Sequence, residues 1–291
     1  MGNSLIGKVK RRLSGRRIGL RGKPEEVSDS EYRAFLKIVD LIPELGMYKR
    51  HTVIHLQELA EKKGFENLEA YRSVLEEDAD ERADLRVNLT LKGTHFFRGD
   101  DWDFFNAECL SSFAGHDPAD GKIRIWCAGC SSGEEAYSVI MSLLDYVDVS
   151  CIEVLATDYN DELVDKIREG RYYRMHYEEI PKRYRKYVDL RETRFYIKPE
   201  LKEVVTACNQ NLLSDEYPKG FDVIVCRNVI KFFAPDVIVR VKAKLAASLA
   251  EGGFLFTSAD GNHKRVEFID NPAALGLRQV GDRCIYQKVG D

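Results

Sequence analysis

Small and acidic residues interrupt the apolar run that begins at Ile123, and their spacing suits the binding of a ligand. The sequence IRIWCAGCSSGEEAYS is apolar up to Cys127, then holds Gly129, two serines, Gly133 and two glutamates before apolar residues return at helical spacing. This pattern predicts a buried strand, a tight turn and a helix that begins at the turn. Glycines let a backbone approach a ligand closely because they carry no Cβ. A plain strand-to-helix connection has the same composition.

An acidic residue ends the next apolar run, where nucleotide-binding folds hold a ribose. Residues 152–158 (IEVLATD) predict a second buried strand with Asp158 at its carboxyl end. An acid at this position accepts hydrogen bonds from ribose hydroxyls in such folds. The first turn matches neither G-x-G-x-x-G nor G-x-x-x-x-G-K-[ST], so a pyrophosphate or phosphate cradle is not indicated. The predicted ligand is a ribose-bearing cofactor without pyrophosphate, a description that S-adenosylmethionine fits.

Two further apolar runs complete the elements that must position these residues. Residues 221–226 (FDVIVC) lead into Arg227 and Asn228, and residues 253–257 (GFLFT) follow a predicted helix of about a dozen residues. Strands that alternate with helices are typical of a parallel sheet covered on both faces. The predicted fold class is therefore α/β and Rossmann-like.

The first third of the chain has helical periodicity and no strand-like alternation, which predicts a small all-α domain over residues 28–90. Three amphipathic faces are predicted, and their members are Tyr32, Phe35, Leu36 and Val39; Val53, Leu56, Leu59 and Ala60; and Leu68, Tyr71, Arg72 and Leu75.

Composition favours an intracellular enzyme. A chain of 291 residues with 44% hydrophobic residues fits two domains. No apolar run is long enough to span a membrane, and a signal-peptide core is absent from the N-terminus. Seven scattered cysteines suit a reducing cytoplasm. Cys127 and Cys130 form the only C-x-x-C, and without two more ligands at suitable spacing we interpret them as packing residues and expect no metal.

Positive charge is concentrated at the N-terminus. Residues 1–23 contain eight Lys or Arg and no acid, whereas the whole chain has a net charge of −4. The acidic remainder argues against nucleic acid as the partner. The basic tail, residues 1–27, is expected to be disordered, with weak contact to an anionic membrane surface or an acidic partner as the alternative.

Four blocks of sequence, in this order and spacing, resemble the chemotaxis receptor methyltransferases of the CheR type. The blocks are residues 94–98 (THFFR), 126–138 (WCAGCSSGEEAYS), 156–158 together with 170–172, and 221–233 (FDVIVCRNVIKFF). The resemblance extends from about Tyr32 to the C-terminus. It implies a cytoplasmic, S-adenosylmethionine-dependent enzyme that methylates glutamates of a chemoreceptor-like protein with an acidic methylation helix, leaving S-adenosylhomocysteine.

The resemblance also implies roles for individual residues. Arg98 and the position of Phe232 are the catalytic candidates. The candidate cofactor contacts are Thr94, Arg98, Ala128, Gly129, Glu135, Asp158, Asn211, Leu212, Arg227 and Asn228.

Several of these residues have structural alternatives. Arg98 could bridge two domains, and Glu135 could be a first-turn acid stabilised by the helix dipole. Asn211 could cap a loop, Asp158 could cap a helix, and Arg227 could form a salt bridge at a strand end.

Departures from the family pattern bear on activity. Phe232 stands where the family has a tyrosine that helps to place the substrate or the methyl group. Lys92 replaces an asparagine, and residues 258–261 read SADG in place of G-H-S-E. The loss of one positioning hydroxyl slows a reaction by roughly 10²–10³, so these changes are compatible with a slow enzyme or with an inactive one.

Two other departures concern the partner. The helix predicted at residues 51–63 (HTVIHLQELAEKK) carries Glu58 and Glu61 where the family has arginines that meet the acidic receptor helix. The β insertion expected at about 180–210, with strands at 195–197 and 204–207, has no glycine between residues 191 and 199. We therefore expect a short insertion that does not bind the receptor tether.

The predicted organisation is a linker at 91–105 that carries T-H-F-F-R, followed by a methyltransferase domain at 106–291, in a monomer. The main hypothesis is a protein-glutamate O-methyltransferase. Its rivals are a cofactor-binding scaffold or sensor without activity, and a methyltransferase for another acidic protein or a small molecule.

Overall fold

The computed structural model describes residues 28–41, 53, 56–57, 59–61, 63–78, 81–82, 85, 94–99, 101–117, 119, 121–230, 233, 235–257 and 268–290. Its contacts divide the chain into two compact units. Unit 1 contains residues 1–91 and 232–235, and unit 2 contains residues 92–231 and 236–291. Phe232, Lys92 and residues 258–261, which the sequence singles out, lie outside the described residues.

Unit 1 contains helices α1 (Asp29–Leu41) and α2 (Leu68–Glu77), and residues 53, 56, 57 and 59–61 are also helical. Its core confirms most of the predicted apolar faces: Val53, Leu56, Ala60, Leu68, Tyr71 and Leu75 are buried. The prediction for α1 is partly wrong, because Tyr32 and Leu36 are 40% and 45% exposed. Phe35 and Ile38, which are three residues apart, form the buried stripe together with Ala34.

Unit 2 is built on a seven-stranded sheet. Its strands are β1 (Ile123–Ala128), β2 (Ile152–Asp158), β6 (Val205–Asn209), β7 (Phe221–Val225), β8 (Leu249–Phe256), β9 (Leu277–Gln279) and β10 (Ile285–Lys288). The strand order is β6-β2-β1-β7-β8-β10-β9. The first five strands are parallel, and β10 is antiparallel to both β8 and β9.

The helices of unit 2 are α3 (Asp101–Glu108), α4 (Glu134–Leu143), α5 (Asp161–Glu169), α6 (Pro199–Lys202) and α7 (Pro235–Ser248). The central strands read as continuous apolar runs because a parallel sheet covered by helices is buried on both faces. Every residue of α4 is buried, so the helix that follows the small-residue turn is held firmly. The predicted α/β class is confirmed.

Unit 2 also contains a small antiparallel sheet. This sheet contains β3 (Arg171–Tyr173), β4 (Val188–Leu190) and β5 (Arg194–Ile197), in the order β3-β5-β4. The strand expected at 195–197 is confirmed. The assignment of residues 204–207 to this sheet is wrong, because β6 pairs in parallel with β2 at the edge of the main sheet. An edge strand is only partly covered, so its mixed polarity resembled that of an exposed hairpin.

The described helices include none that is both long and apolar enough to cross a bilayer. All seven cysteines are free thiols, and all except Cys208 are buried. Burial raises the pKa of both the Cys127 and the Cys130 thiol, so neither has thiolate reactivity at neutral pH. Their predicted role as packing residues fits this environment.

Candidate active site

Several residues singled out from the sequence lie at the carboxyl ends of three adjacent parallel strands, β2, β1 and β7. Ala128 ends β1, Asp158 ends β2, and Arg227 and Asn228 follow β7. The chain passes from β1 outward to β2 and β6, and in the other direction to β7 and β8. The carboxyl edge between β1 and β7 is therefore the topological switch point, where open α/β sheets bind ligands.

The turn between β1 and α4 has a tightly constrained backbone. Gly129 has φ 67°, and a Cβ at this position would lie 2.8 Å from Cγ2 of Val229. Gly133 has φ 95° and its amide donates to the Cys130 carbonyl at 3.0 Å. Ser131 also adopts a left-handed conformation, with φ 54°, which costs about 1–2 kcal/mol outside glycine. Such strain is stored where the surrounding structure requires one particular turn.

Asp158 is buried and fixed in position by backbone amides. Its Oδ2 accepts from Ser131 N at 2.8 Å and its Oδ1 accepts from Asn160 N at 3.0 Å. Burial raises the pKa of this carboxyl, although the backbone hydrogen bonds act in the opposite direction. Two carboxylate oxygens offer about four lone-pair sites, so Asp158 keeps acceptor capacity for a ribose diol. It is not the helix cap considered above, because the side chain of Asn160 caps α5.

A buried ion pair joins the end of β7 to the first turn of α4. The Arg227 guanidinium donates to Glu135 Oε1 at 2.8 Å, and both side chains are almost completely buried. The guanidinium carbon also lies 4.5 Å from the centroid of the Phe256 ring and 5.7 Å from that of Trp102. The structure thus contains the strand-end salt bridge that was the alternative for Arg227, with Glu135 as its partner.

The T-H-F-F-R segment is anchored in unit 2 by its two phenylalanines. The Phe97 amide donates to Ser138 Oγ on α4 at 2.9 Å, and the Phe97 ring stacks on Tyr184 with centroids 4.9 Å apart. The Phe96 amide donates to Glu179 Oε2 at 3.0 Å. These contacts fix the backbone at Phe96 and Phe97, and Thr94 and the half-buried Arg98 lie within two residues of them.

Several buried polar atoms around the strand ends have no hydrogen-bond partner in the described part of the chain. They include Thr94 Oγ1, Ser131 Oγ, Asn160 Nδ2, Gln210 Oε1, Arg227 Nε, and both Oδ1 and Nδ2 of Asn228. A buried polar group without a partner costs about 1–3 kcal/mol, so a bound ligand or ordered water is expected to supply the partners. Hydroxyl and amide groups of this kind offer both donors and acceptors to a polar ligand.

The loop after β6 favours a structural role for Asn211. Its Oδ1 accepts from Leu213 N at 2.9 Å, and its own amide donates to Asp215 Oδ2 at 2.7 Å. The side chain therefore caps the loop, as one alternative proposed, and Leu212 is buried beside it. The Gln210 amide donates to the Asp158 carbonyl at 3.0 Å, which keeps this loop next to the end of β2.

Sequence reasoning missed Glu134, a buried acid at the start of α4. Its side chain is almost fully buried, and Ser132 Oγ donates to Oε2 at 2.8 Å. Burial raises the pKa of Glu134 to about 7, with the Ser132 hydrogen bond acting against this change. The G-E-E run was visible in the sequence, but nothing in it distinguished the buried, readily protonated glutamate from the one that pairs with Arg227.

We predict that Glu134→Gln stabilises unit 2 at alkaline pH. An unfolded glutamate titrates near pH 4.3, whereas the folded carboxyl titrates at about 7. Between these values the native state binds the extra proton, so its stability falls as pH rises through this window. Glutamine does not titrate, so the variant lacks this loss of stability. Its effect on the free energy of unfolding should be more favourable at about pH 8 than at about pH 4, by up to about 3 kcal/mol.

Urea unfolding followed by tryptophan fluorescence measures this change, because both tryptophans, Trp102 and Trp126, lie in unit 2. Glu178→Gln is the matched control, since that side chain is 77% exposed. An equal effect of Glu134→Gln on the free energy of unfolding at both pH values would contradict a raised pKa for the Glu134 carboxyl.

A parallel sheet with a small-residue turn after β1 and an acid at the end of β2, both at the switch point, is the arrangement of an enzyme that binds a nucleotide cofactor. Residues 92–266 match the family described as "CheR methyltransferase, SAM binding domain". The chain belongs to this family. It is a methyltransferase, and its cofactor is S-adenosylmethionine.

Relatives support this membership over most of the chain. A chemotaxis protein methyltransferase of Listeria monocytogenes is 31% identical over 260 residues, covering 87% of this chain and 96% of that protein. A chemotaxis protein methyltransferase of Borreliella burgdorferi is 30% identical over 230 residues, covering 74% of this chain and 81% of that protein. Chemotaxis protein methyltransferase 1 of Vibrio cholerae is 31% identical over 254 residues, covering 80% of this chain and 89% of that protein.

Proposed function

We propose that the protein transfers the methyl group of S-adenosylmethionine to glutamate side chains of a chemoreceptor-like protein, giving glutamate methyl esters and S-adenosylhomocysteine. The observation that carries this proposal is the anchoring of residues 94–98 against α4. Phe96 and Phe97 hold the segment that presents Thr94 and Arg98. The names of the relatives support chemotaxis as the setting.

The reaction requires little acid–base chemistry from the protein. A glutamate side chain has a pKa near 4.3 in solution and is already a carboxylate nucleophile at neutral pH. When bound, S-adenosylmethionine supplies an electrophilic methyl group on a sulfonium. The residues of this chain must orient the acceptor and exclude water, and positioning of this kind supplies about 7–11 kcal/mol in favourable systems.

Each part of the site has a place in this scheme. Asp158 would hold the ribose hydroxyls, since it is a fixed and buried acceptor. Asn228 and Thr94 carry buried polar atoms that need partners and would bind the amino-acid part of the cofactor. Glu135 and Arg227 neutralise each other and hold the end of β7 against the first turn of α4. Arg98 would orient the acceptor carboxylate, because a planar guanidinium can bind both carboxylate oxygens.

Arg98→Lys should reduce kcat by about 10²–10³ while changing the affinity for S-adenosylmethionine much less. Lysine keeps the positive charge but loses the planar pair of donors, and one positioning donor contributes about this factor to a rate. Steady-state kinetics and calorimetry give the two quantities. Arg171→Lys is the matched control, since Arg171 pairs with Glu169 on the surface of unit 2. Equal losses in kcat and affinity would assign Arg98 to the cofactor alone.

A scaffold that binds the cofactor without turnover is the second candidate function. The observations that favour it are Phe232 in place of the family tyrosine, Lys92 in place of asparagine, and the exposed acid Glu61 on a helix expected to meet an acidic receptor. Like charges would weaken that docking. The first change removes a hydroxyl that the family uses for positioning, and the second replaces an asparagine that contacts the cofactor in the family, so both would reduce the expected rate.

Transfer of labelled methyl groups to membranes from the source organism tests the proposal. The full chain is incubated with methyl-labelled S-adenosylmethionine, and the membranes are then treated with base. Carboxyl methyl esters hydrolyse in base and release volatile methanol, so labelled methanol supports the proposal. Cofactor binding by calorimetry without labelled methanol would favour the scaffold. Base-stable label would indicate another acceptor and overturn the glutamate assignment.

A further inference from the structure

Three potential metal ligands meet on unit 2, next to the T-H-F-F-R segment. His95 Nδ1 lies 3.0 Å from Glu179 Oε1, and His176 Nδ1 lies 2.8 Å from the same oxygen. All three ligand atoms lie within 4.8 Å of one another. His95 belongs to residues 94–98, whereas His176 and Glu179 belong to the 3-10 helix Arg174–Glu179 that follows β3. The cofactor site described above uses none of the three.

The donor set favours zinc. Two imidazole nitrogens and one carboxylate oxygen form the His₂Glu set found in zinc sites that keep an open position, whereas calcium and magnesium prefer oxygen ligands alone. Zn–N and Zn–O distances near 2.0–2.1 Å place neighbouring ligand atoms of a tetrahedron about 3.3 Å apart. The two measured separations fall short of this by a few tenths of an ångström, so a small side-chain rotation would admit the ion.

The carboxylate is oriented by a second hydrogen bond. Glu179 Oε2 accepts from the Phe96 amide at 3.0 Å, which leaves Oε1 directed at both imidazoles. Outer contacts of this kind fix ligands in metal sites. The Phe96 ring is itself packed against Tyr172 and Phe195, with centroids 4.9 Å and 5.6 Å away, so the amide donor belongs to the core of unit 2.

The spacing and exposure of the ligands fit a site with one open position. Residues i and i+3 lie on the same side of a 3-10 helix, so His176 and Glu179 point in one direction. Their side chains are 23% and 26% exposed, whereas that of His95 is 53% exposed. The ion would therefore be reached from solvent on the side of His95, where water can supply the fourth ligand.

We propose that His95, His176 and Glu179 bind one zinc ion, with water as the fourth ligand. The ion crosslinks residues 94–98 to the segment after β3 and thereby restrains the part of the chain that carries Thr94 and Arg98. The site is separate from the residues assigned to the cofactor, and it stands whether or not the protein transfers methyl groups.

Zinc titration of the tag-free, full-length protein in competition with a chromophoric chelator tests the site. We expect one ion per chain. His176→Ala should weaken binding by at least about 100-fold, since loss of a mere outer-shell partner already costs 10–100-fold. His116→Ala is the matched control, because His116 bonds to the Gly121 carbonyl elsewhere in unit 2 and should leave the affinity unchanged.

Two further measurements separate this site from other donors. Cobalt in place of zinc should give the visible spectrum of a nitrogen and oxygen site, without thiolate charge-transfer bands, because the chain also has seven free cysteines. His95→Ala is a second variant for the case in which His176→Ala fails to fold. The His95 side chain is exposed, so its removal should not disturb the packing of unit 2. Unchanged zinc affinity in the folded variants, no bound ion, or a thiolate spectrum would overturn the proposal.

Discussion

Glu135→Leu is expected to lower the free energy of unfolding of unit 2 by about 3–5 kcal/mol. The variant leaves the Arg227 guanidinium buried and without its carboxylate, and this is the usual cost of breaking a buried ion pair from one side. Arginine cannot escape the penalty by losing its proton. The double variant Glu135→Leu/Arg227→Met should recover most of the loss, because apolar replacement of both partners removes the buried charge.

Urea unfolding by tryptophan fluorescence gives the free energies for this double-mutant cycle. The matched control is Arg240→Met on α7, where the Arg240–Asp236 pair has the same separation of 2.8 Å but side chains 65% and 69% exposed. An exposed pair contributes at most about 1 kcal/mol, so the control should change stability little. A loss in Glu135→Leu no larger than that in Arg240→Met, or no recovery in the double variant, would contradict a structural role for the buried pair.

The central strands could be predicted from the sequence because they are buried on both faces. The run at 152–158 coincides with β2, and the run at 221–226 contains β7. Prediction failed where burial is partial. β6 at the sheet edge was assigned to the small sheet, and Tyr32 and Leu36 were grouped with Phe35 on one face of α1, although both are exposed and Phe35 is buried. At such positions tertiary contacts, which a local pattern does not contain, decide the side that is covered.

The position of the candidate site was also predictable, since Asp158 and Arg227 stand at strand ends in the sequence itself. The side chains that pair across the fold could not be predicted in this way. Glu135 is 92 residues from Arg227, and His95 is 84 residues from Glu179. Charge and residue type permit many such pairs, and only the fold selects one. The pKa of Glu134 depends in the same way on burial, which two adjacent glutamates in a sequence do not reveal.

Asp158→Ala should weaken the binding of S-adenosylmethionine and of S-adenosylhomocysteine by about 10–150-fold. A hydrogen bond to a charged acceptor contributes about 1.5–3 kcal/mol, and every 1.4 kcal/mol changes affinity tenfold. The loss should be shared by both ligands, because the ribose is common to them and the charge of the sulfonium is not. Calorimetry measures both affinities on the folded variant.

The main alternative is that Asp158 acts only through the turn, since it accepts from the amides of Ser131 and Asn160. The 2′- and 3′-deoxy analogues of S-adenosylhomocysteine separate the two roles. If Asp158 binds the ribose, the parent should discriminate against the deoxy ligands and Asp158→Ala should not. Asp165→Ala, which removes an acid paired with Arg168 on the surface of α5, should behave as the parent does. Equal discrimination in the parent and in Asp158→Ala would show that Asp158 shapes the turn without touching the ribose.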